Sequence, residues 1–333
     1  MTKGTKVFRI IICTLLALTM LCSAFFATLF CLYFLKNPYG IYVAGVPVNR
    51  DNQNDVLGDG TVYYNANNNI LIFDNATIES EETVVYSKID LNVELIGENK
   101  FVCTNEERGS GIYASDYNLS KNLAIIGEGS LTIELPNASM EAAGIVAAEL
   151  TVATDLTIIT PDCENMVNGI VCSSSLLIVD KATVTVNGGA AKYSSAVRVR
   201  GNAFLEEGTA LLVSVNSGTT EICKGVSISG DLFLGKNTVF EVSVDDSATD
   251  LGECIRVSGL MEIGIGSAVT ASAKNTYAIE CFGCIEANED AAISAVSDKK
   301  DADVFCAGAV VNCGAKIEGE IDAIGGIRNR DQN

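Results

Sequence analysis

Residues 194 to 215 read SSAVRVRGNAFLEEGTALLVSV, and residues 223 to 244 read CKGVSISGDLFLGKNTVFEVSV. Laid over one another, Val197 and Val199 fall on Val226 and Ile228, and Gly201 falls on Gly230. Ala203 and Leu205 fall on Leu232 and Leu234, and Leu211 and Val213 on Phe240 and Val242. Each apolar pair brackets one position of free composition, such as Arg198 or Ser227, so each marks a short strand with one buried face. The unit is therefore three short strands joined by corners.

The pattern extends in both directions. Units begin at Gly111, Gly144, Gly169, Ala196, Gly225, Cys254, Ala278 and Asp303, spaced 33, 25, 27, 29, 29, 24 and 25 residues apart. One residue after each start stands Ile or Val, and three after it an apolar or small residue: Ala114, Ala147, Cys172, Val199, Ile228, Val257, Cys281, Cys306. Gly201, Gly230, Gly259, Gly283 and Gly308 form a further column, which marks a corner where a side chain would be strained or would meet the next layer. Register survives all three strands although unit length varies, so the surplus lies in the turn after the third strand. Columns that hold across units, with insertions at one corner, specify coils stacked at ~4.8 Å. Hairpin-linked sandwiches have no such columns. The expected fold is all-β, a parallel β-helix of about eight coils.

The composition agrees. The 333 residues include 30 Gly, 4 Pro and no Trp, and are 48% hydrophobic. Formal net charge is −20, a surface that repels nucleic acid and anionic lipid and suits a solvated protein or one that gathers divalent cations. The absence of histidine excludes a Ser-His-Asp triad, an imidazole base and a histidine metal site.

One helix is expected. From Ile10 to Leu35 the chain carries no charge, a run longer than the ~20 residues that cross a bilayer. Lys3, Lys6 and Arg9 precede it and Lys36 follows, which predicts a single-pass plasma-membrane protein with its N-terminus inside and its bulk extracellular. A signal peptide cut after Ala24 is the competing reading; it would leave FFATLFCLYFL as an apolar start on a secreted product.

Twelve cysteines remain to be placed. Cys281 and Cys284 have the Cys-x-x-Cys spacing, but Cys281 occupies an inward column while Cys284 follows the Gly283 corner. The expectation is small core residues and half-buried thiols rather than zinc or redox chemistry. A Cys281–Cys306 bridge between adjacent coils fits the Cα range for a disulfide. Nine cysteines lie outside the apolar run, an odd number, so a complete disulfide framework is excluded.

Residues 41 to 110 fit the task of covering the solenoid end. Within them, IYVAGVPVNRDNQNDVLGDGTVYYNANNNILIFDNATI, Ile41 to Ile78, resembles a segment of surface proteins from clostridia and related Gram-positive bacteria, with the block from Asp55 to Val62 its most specific part. The resemblance implies a right-handed parallel β-helix and carbohydrate binding, in some relatives with calcium. Asp74 stands where that segment usually has Asn.

Candidate sites follow from the columns. Arg198 and Arg256 share an outward column, with Arg200 beside them, and suit bidentate contact with uronates or cross-strand ion pairs. Tyr193 and Tyr277 are expected at the corner that also carries Asp245, Asp246, Asp250 and Glu253, which with Asn216 on the preceding coil form the best calcium set, or else solvated loop acids. Asn75, Asn118 and Asn137 begin Asn-x-Ser/Thr sequons.

The expected organisation is a cytoplasmic start (1–9), a membrane helix (10–35), a linker (36–40), a cap with first coils (41–110), the β-helix (111–325) and a tail (326–333). The expected function is non-catalytic binding of polysaccharide or cell-wall glycan at the cell surface. The alternatives are a calcium-assisted polysaccharide lyase or hydrolase, and a spacer or adhesin with a surface-protein partner.

Overall fold

The computed structural model describes residues 3–36, 39–116, 119–136, 138–216, 218, 221–245, 252–298 and 302–329. After one helix, Lys3–Lys36, every further element is a strand. The strands wind into a parallel β-helix of about eight turns with three sheets along its length.

The first sheet stacks Val85–Ser87, Arg108–Asp116, Glu141–Ala147, Met166–Cys172, Tyr193–Val199, Ile222–Ile228, Gly252–Val257, Ile279–Cys281, Val304–Cys306 and Ile321–Ala323. The column that places Ile112, Ile145, Ile170, Val197, Val226, Ile255, Ile279 and Val304 together is the register of this sheet. The second and third sheets carry the other expected pairs, Leu176 over Ala203, Leu232, Met261 and Ile285, and Val184 over Leu211, Phe240, Val269 and Ile293. All of these residues are buried, because successive strand residues point to opposite faces and the inner faces of three sheets close on one axis.

The glycine column is a close-approach corner. A Cβ on Gly201 would stand 2.3 Å from the Ser174 carbonyl oxygen, and one on Gly283 would stand 2.2 Å from that of Gly259. The backbones meet there: Gly230 N–H donates to Gly201 O at 2.9 Å, and Gly259 N–H to Gly230 O at 2.9 Å.

Parallel stacking begins before Gly111, with Ile70–Asp74 against Leu91–Ile96 and Thr77–Ser80 against Glu98–Cys103. The cap itself is antiparallel. Ile41–Val43 pairs with Val46–Pro47 and with Val85–Ser87, and Val62–Asn65 pairs with Ile70–Asp74. Val48, Val56 and Val62 close the core beneath it. The block from Asp55 to Val62 is a loop built on one carboxylate: Asp55 Oδ1 accepts from Gly58 N–H at 2.9 Å and Gly60 N–H at 3.0 Å, and both glycines have positive φ. At the other end burial fades, from alternately buried residues in Val304–Cys306 to exposed ones in Ile327–Asn329.

In the helix, the window Thr14–Cys31 has a mean hydropathy of 2.0 and buries none of its side chains against protein. Its hydroxyls fold back onto the helix, Thr19 onto Leu16 O at 2.9 Å, Ser23 onto Met20 O at 2.9 Å and Thr28 onto Ala24 O at 2.8 Å. No polar group of theirs then asks for water, which is the condition for immersion in lipid. The helix is long and apolar enough to cross a membrane.

Candidate functional site

Each strand of the first sheet turns a side chain outward, and parallel register aligns these into one column along the axis. From the capped end it runs Tyr42, Tyr86, Tyr113, Val146, Val171, Arg198, Ser227, Arg256, Glu280, Phe305. The first three members form a tyrosine ladder.

Ring centroids of Tyr42 and Tyr86 lie 5.7 Å apart with the planes at 31°, and those of Tyr86 and Tyr113 lie 6.2 Å apart at 41°. The rings are fanned rather than closed on each other. On the second sheet, by contrast, Phe204 and Phe233 stand 5.0 Å apart at 6° and spend their facing surfaces on one another. The tyrosines border an open cleft of about 570 Å³, whose remaining wall is Gly45, Glu82, Thr83, Arg108 and Ser110. The hairpin turn at Ala44 and Gly45, with φ of 48° and 75°, forms one side of it.

Charge in the cleft is mixed. Lys88 Nζ lies 5.8 Å from the Tyr42 ring centroid, within cation–π range, and Arg108 Nε lies 3.5 Å from Glu141. Burial pushes the Tyr86 phenol above its ordinary value, with Lys88 pulling the other way and Asp116 adding to the rise. The phenol therefore stays a hydrogen-bond donor at neutral pH. Ring surface, phenol hydroxyls, a guanidinium and a carboxylate on one open wall match the apolar and polar faces that a sugar presents.

The two arginines expected in this column are not equivalent. Arg256 is held by Glu253, approaches Glu280 at 4.0 Å and lies 4.8 Å over the Phe282 ring, while Lys224 Nζ takes Glu253 at 2.8 Å. Ion pairing along its own strand and across to the next coil accounts for Arg256. Arg198 and the exposed Arg200 make no ion pair among the described residues. Tyr193 donates to Glu221 at 3.0 Å and Tyr277 lies 5.5 Å from Phe305, each with a partner on the following coil. Tyr277 also lies near Phe282 through Phe305, at the far end of the same outer face.

The described acids of the calcium set are taken up by cations. Asp245 Oδ2 takes Lys274 Nζ at 3.0 Å, Glu253 is engaged by Lys224 and Arg256, and Asp246 and Asp250 lie outside the described residues. Asn216 is exposed and continues the register that sets Val215 beside Val244. Among the described residues no three His, Cys, Asp or Glu side chains converge. Asn118 and Asn137 also lie outside the described residues.

Cys281 is buried, Cys284 half-buried, and no disulfide links the described cysteines. Cys281 and Cys306 are in register on adjacent coils, and their thiol–thiol hydrogen bond, with burial, pushes Cys281 up. Cys172 is pushed up to about 12 by burial. Cys281 and Cys172 are thus protonated core groups, whereas the same thiol–thiol hydrogen bond lowers Cys306 to about 7.

Sequence reasoning missed the ladder. Tyr113 stood at a position of free composition, and Tyr42 and Tyr86 stood in the cap, outside the aligned units. Comparison of the chain with protein-family models, with curated proteins and with solved structures gave no match.

Proposed function

We propose that this protein binds glycan without transforming it, along the outer face of the first sheet, while its N-terminal helix holds it in a membrane with the β-helix outside the cell. The tyrosine ladder carries the reading. Rungs repeat at ~4.8 Å, about the length of one pyranose, so a polysaccharide lying along the column sets successive sugars against successive rings. The fanned rings keep surface available for such contacts, and the Tyr86 phenol, held above its ordinary value by burial, adds a donor. Glu82 is the lone carboxylate among the cleft-lining residues, where glycoside hydrolysis uses two. The basic residues Lys3, Lys6 and Arg9 ahead of the apolar span support an inside N-terminus.

Calorimetry or affinity electrophoresis of the full chain in detergent, against a panel of neutral and acidic polysaccharides, tests the reading. Tyr86→Ala is expected to weaken binding about tenfold, roughly 1.4 kcal/mol, with the melting temperature retained. If no polysaccharide in the panel binds, the proposal fails.

A further inference from the structure

Beyond the ladder, the same outer face changes character. In a chain of net charge −20, three successive coils present Arg198, Arg200, Lys224 and Arg256, with Glu221, Glu253 and, on the next coil, Glu280 beside them. Glu253 and Glu280 are taken up at the Lys224 and Arg256 end, and Glu221 by Lys192 and Tyr193. That leaves Arg198 and Arg200 without an acidic partner among the described residues.

Two polar atoms at this place are also unsatisfied. Arg198 Nε and Ser195 Oγ are both shielded from solvent without a hydrogen-bond partner, and Ser195 is only 7% exposed. A covered polar atom left unpaired is costly, more so on a charged group, and calls for an explanation. Ser195 and Arg198 lie on one strand, with Val171 on the coil before Arg198 and Ser227 on the coil after. Burial and the neighbouring Arg200 both disfavour the Arg198 charge. An oxyanion at the guanidinium would relieve both penalties and give the Ser195 hydroxyl an acceptor within reach of a rotamer change.

We infer that the outer face of the first sheet takes an anionic polysaccharide, with Arg198 and Ser195 receiving an oxyanion of the repeat unit about three rungs, ~14 Å, beyond Tyr113. This rests on the glycan reading above and adds its charge class. The oxyanion is a uronate carboxylate or a phosphodiester of a polyol-phosphate chain. Either would be drawn to this patch and repelled by the rest of the surface, which sets the register of the polymer.

The test titrates the full chain in detergent with oligogalacturonate, poly(glycerol phosphate) and a neutral β-glucan oligomer, using wild type, Arg198→Gln, Arg198→Lys, Ser195→Ala and Tyr86→Ala. At least one anionic oligomer should bind tighter than the neutral one. Arg198→Gln should lose at least tenfold for it and leave the neutral oligomer unchanged, Ser195→Ala should lose less, and Arg198→Lys should recover part of the loss. The preferred anion identifies carboxylate or phosphate. Anionic binding no tighter than neutral, or unaltered in Arg198→Gln, overturns the inference while leaving the glycan reading intact. Loss in Arg198→Gln with none in Tyr86→Ala would instead sink the ladder and keep the anion site. Unchanged melting of each variant separates lost contact from lost fold.

Discussion

At the turn between the second and third strands of successive coils, Lys181, Gly208, Asn237, Gly266 and Asp290 occupy one column with φ of 61°, 75°, 54°, 69° and 56°. The left-handed region crowds a Cβ against the following carbonyl, and Gly, Asn and Asp enter it most readily. Lys181 is the member without that tolerance. Lys181→Gly is expected to stabilise the fold by about 0.5–1 kcal/mol, the relief of strain exceeding the added freedom of the unfolded chain. Urea denaturation of the two proteins checks this, and a midpoint that falls would refute it. The corner of Gly201, Gly230, Gly259, Gly283 and Gly308 needs glycine for another reason, since none of these has a positive φ and each would press a Cβ into the coil below. One residue type thus answers two demands in one coil. The second is legible as an invariant column, whereas the first is blurred because four residue types occupy it.

Strands here are short, many of three residues, and none could bury its face alone. Stability comes from stacking, with buried hydroxyls closing the turns: Thr209 Oγ1 donates to Glu206 O at 2.8 Å, and Thr238 N–H donates to Ser267 Oγ at 3.1 Å. Cysteines serve this layer as small apolar groups, and the consequence is a pH dependence. Cys172 is raised from its ordinary value of 9.0 to about 12 by burial. An unfolded chain would release this proton near 9 while the folded one keeps it to about 12, so the contribution is complete below pH 9 and drains away as pH rises toward 12. Urea midpoints measured at pH 8 and pH 10.5 should fall with pH, and Cys172→Ala should flatten the fall. An identical slope in the variant would contradict this placement.

Across the whole molecule, an acidic β-helix follows a strongly apolar helix. The proposed arrangement makes the helix an uncleaved anchor: the full-length chain should stay in the membrane pellet after alkaline carbonate, and protease added to intact cells should remove the β-helix. Release of a chain shortened at its N-terminus would establish the cleaved-signal alternative. The repeat columns, the inward thiols, the glycine corner and the apolar span were all readable from the chain because each is a local pattern, or the same local pattern recurring at nearly constant spacing. Tertiary structure alone decided which outward residues became neighbours. Tyr42 reaches Tyr86 through an antiparallel cap strand that obeys no repeat, and Arg256 differs from Arg198 through Glu253 on its own strand, Glu280 on the next coil and the Phe282 ring. Periodicity dictates what must face inward, since burial penalises every exception. The outer face carries no such penalty, so its contacts depend on the register of the cap and on which charges the coils bring together.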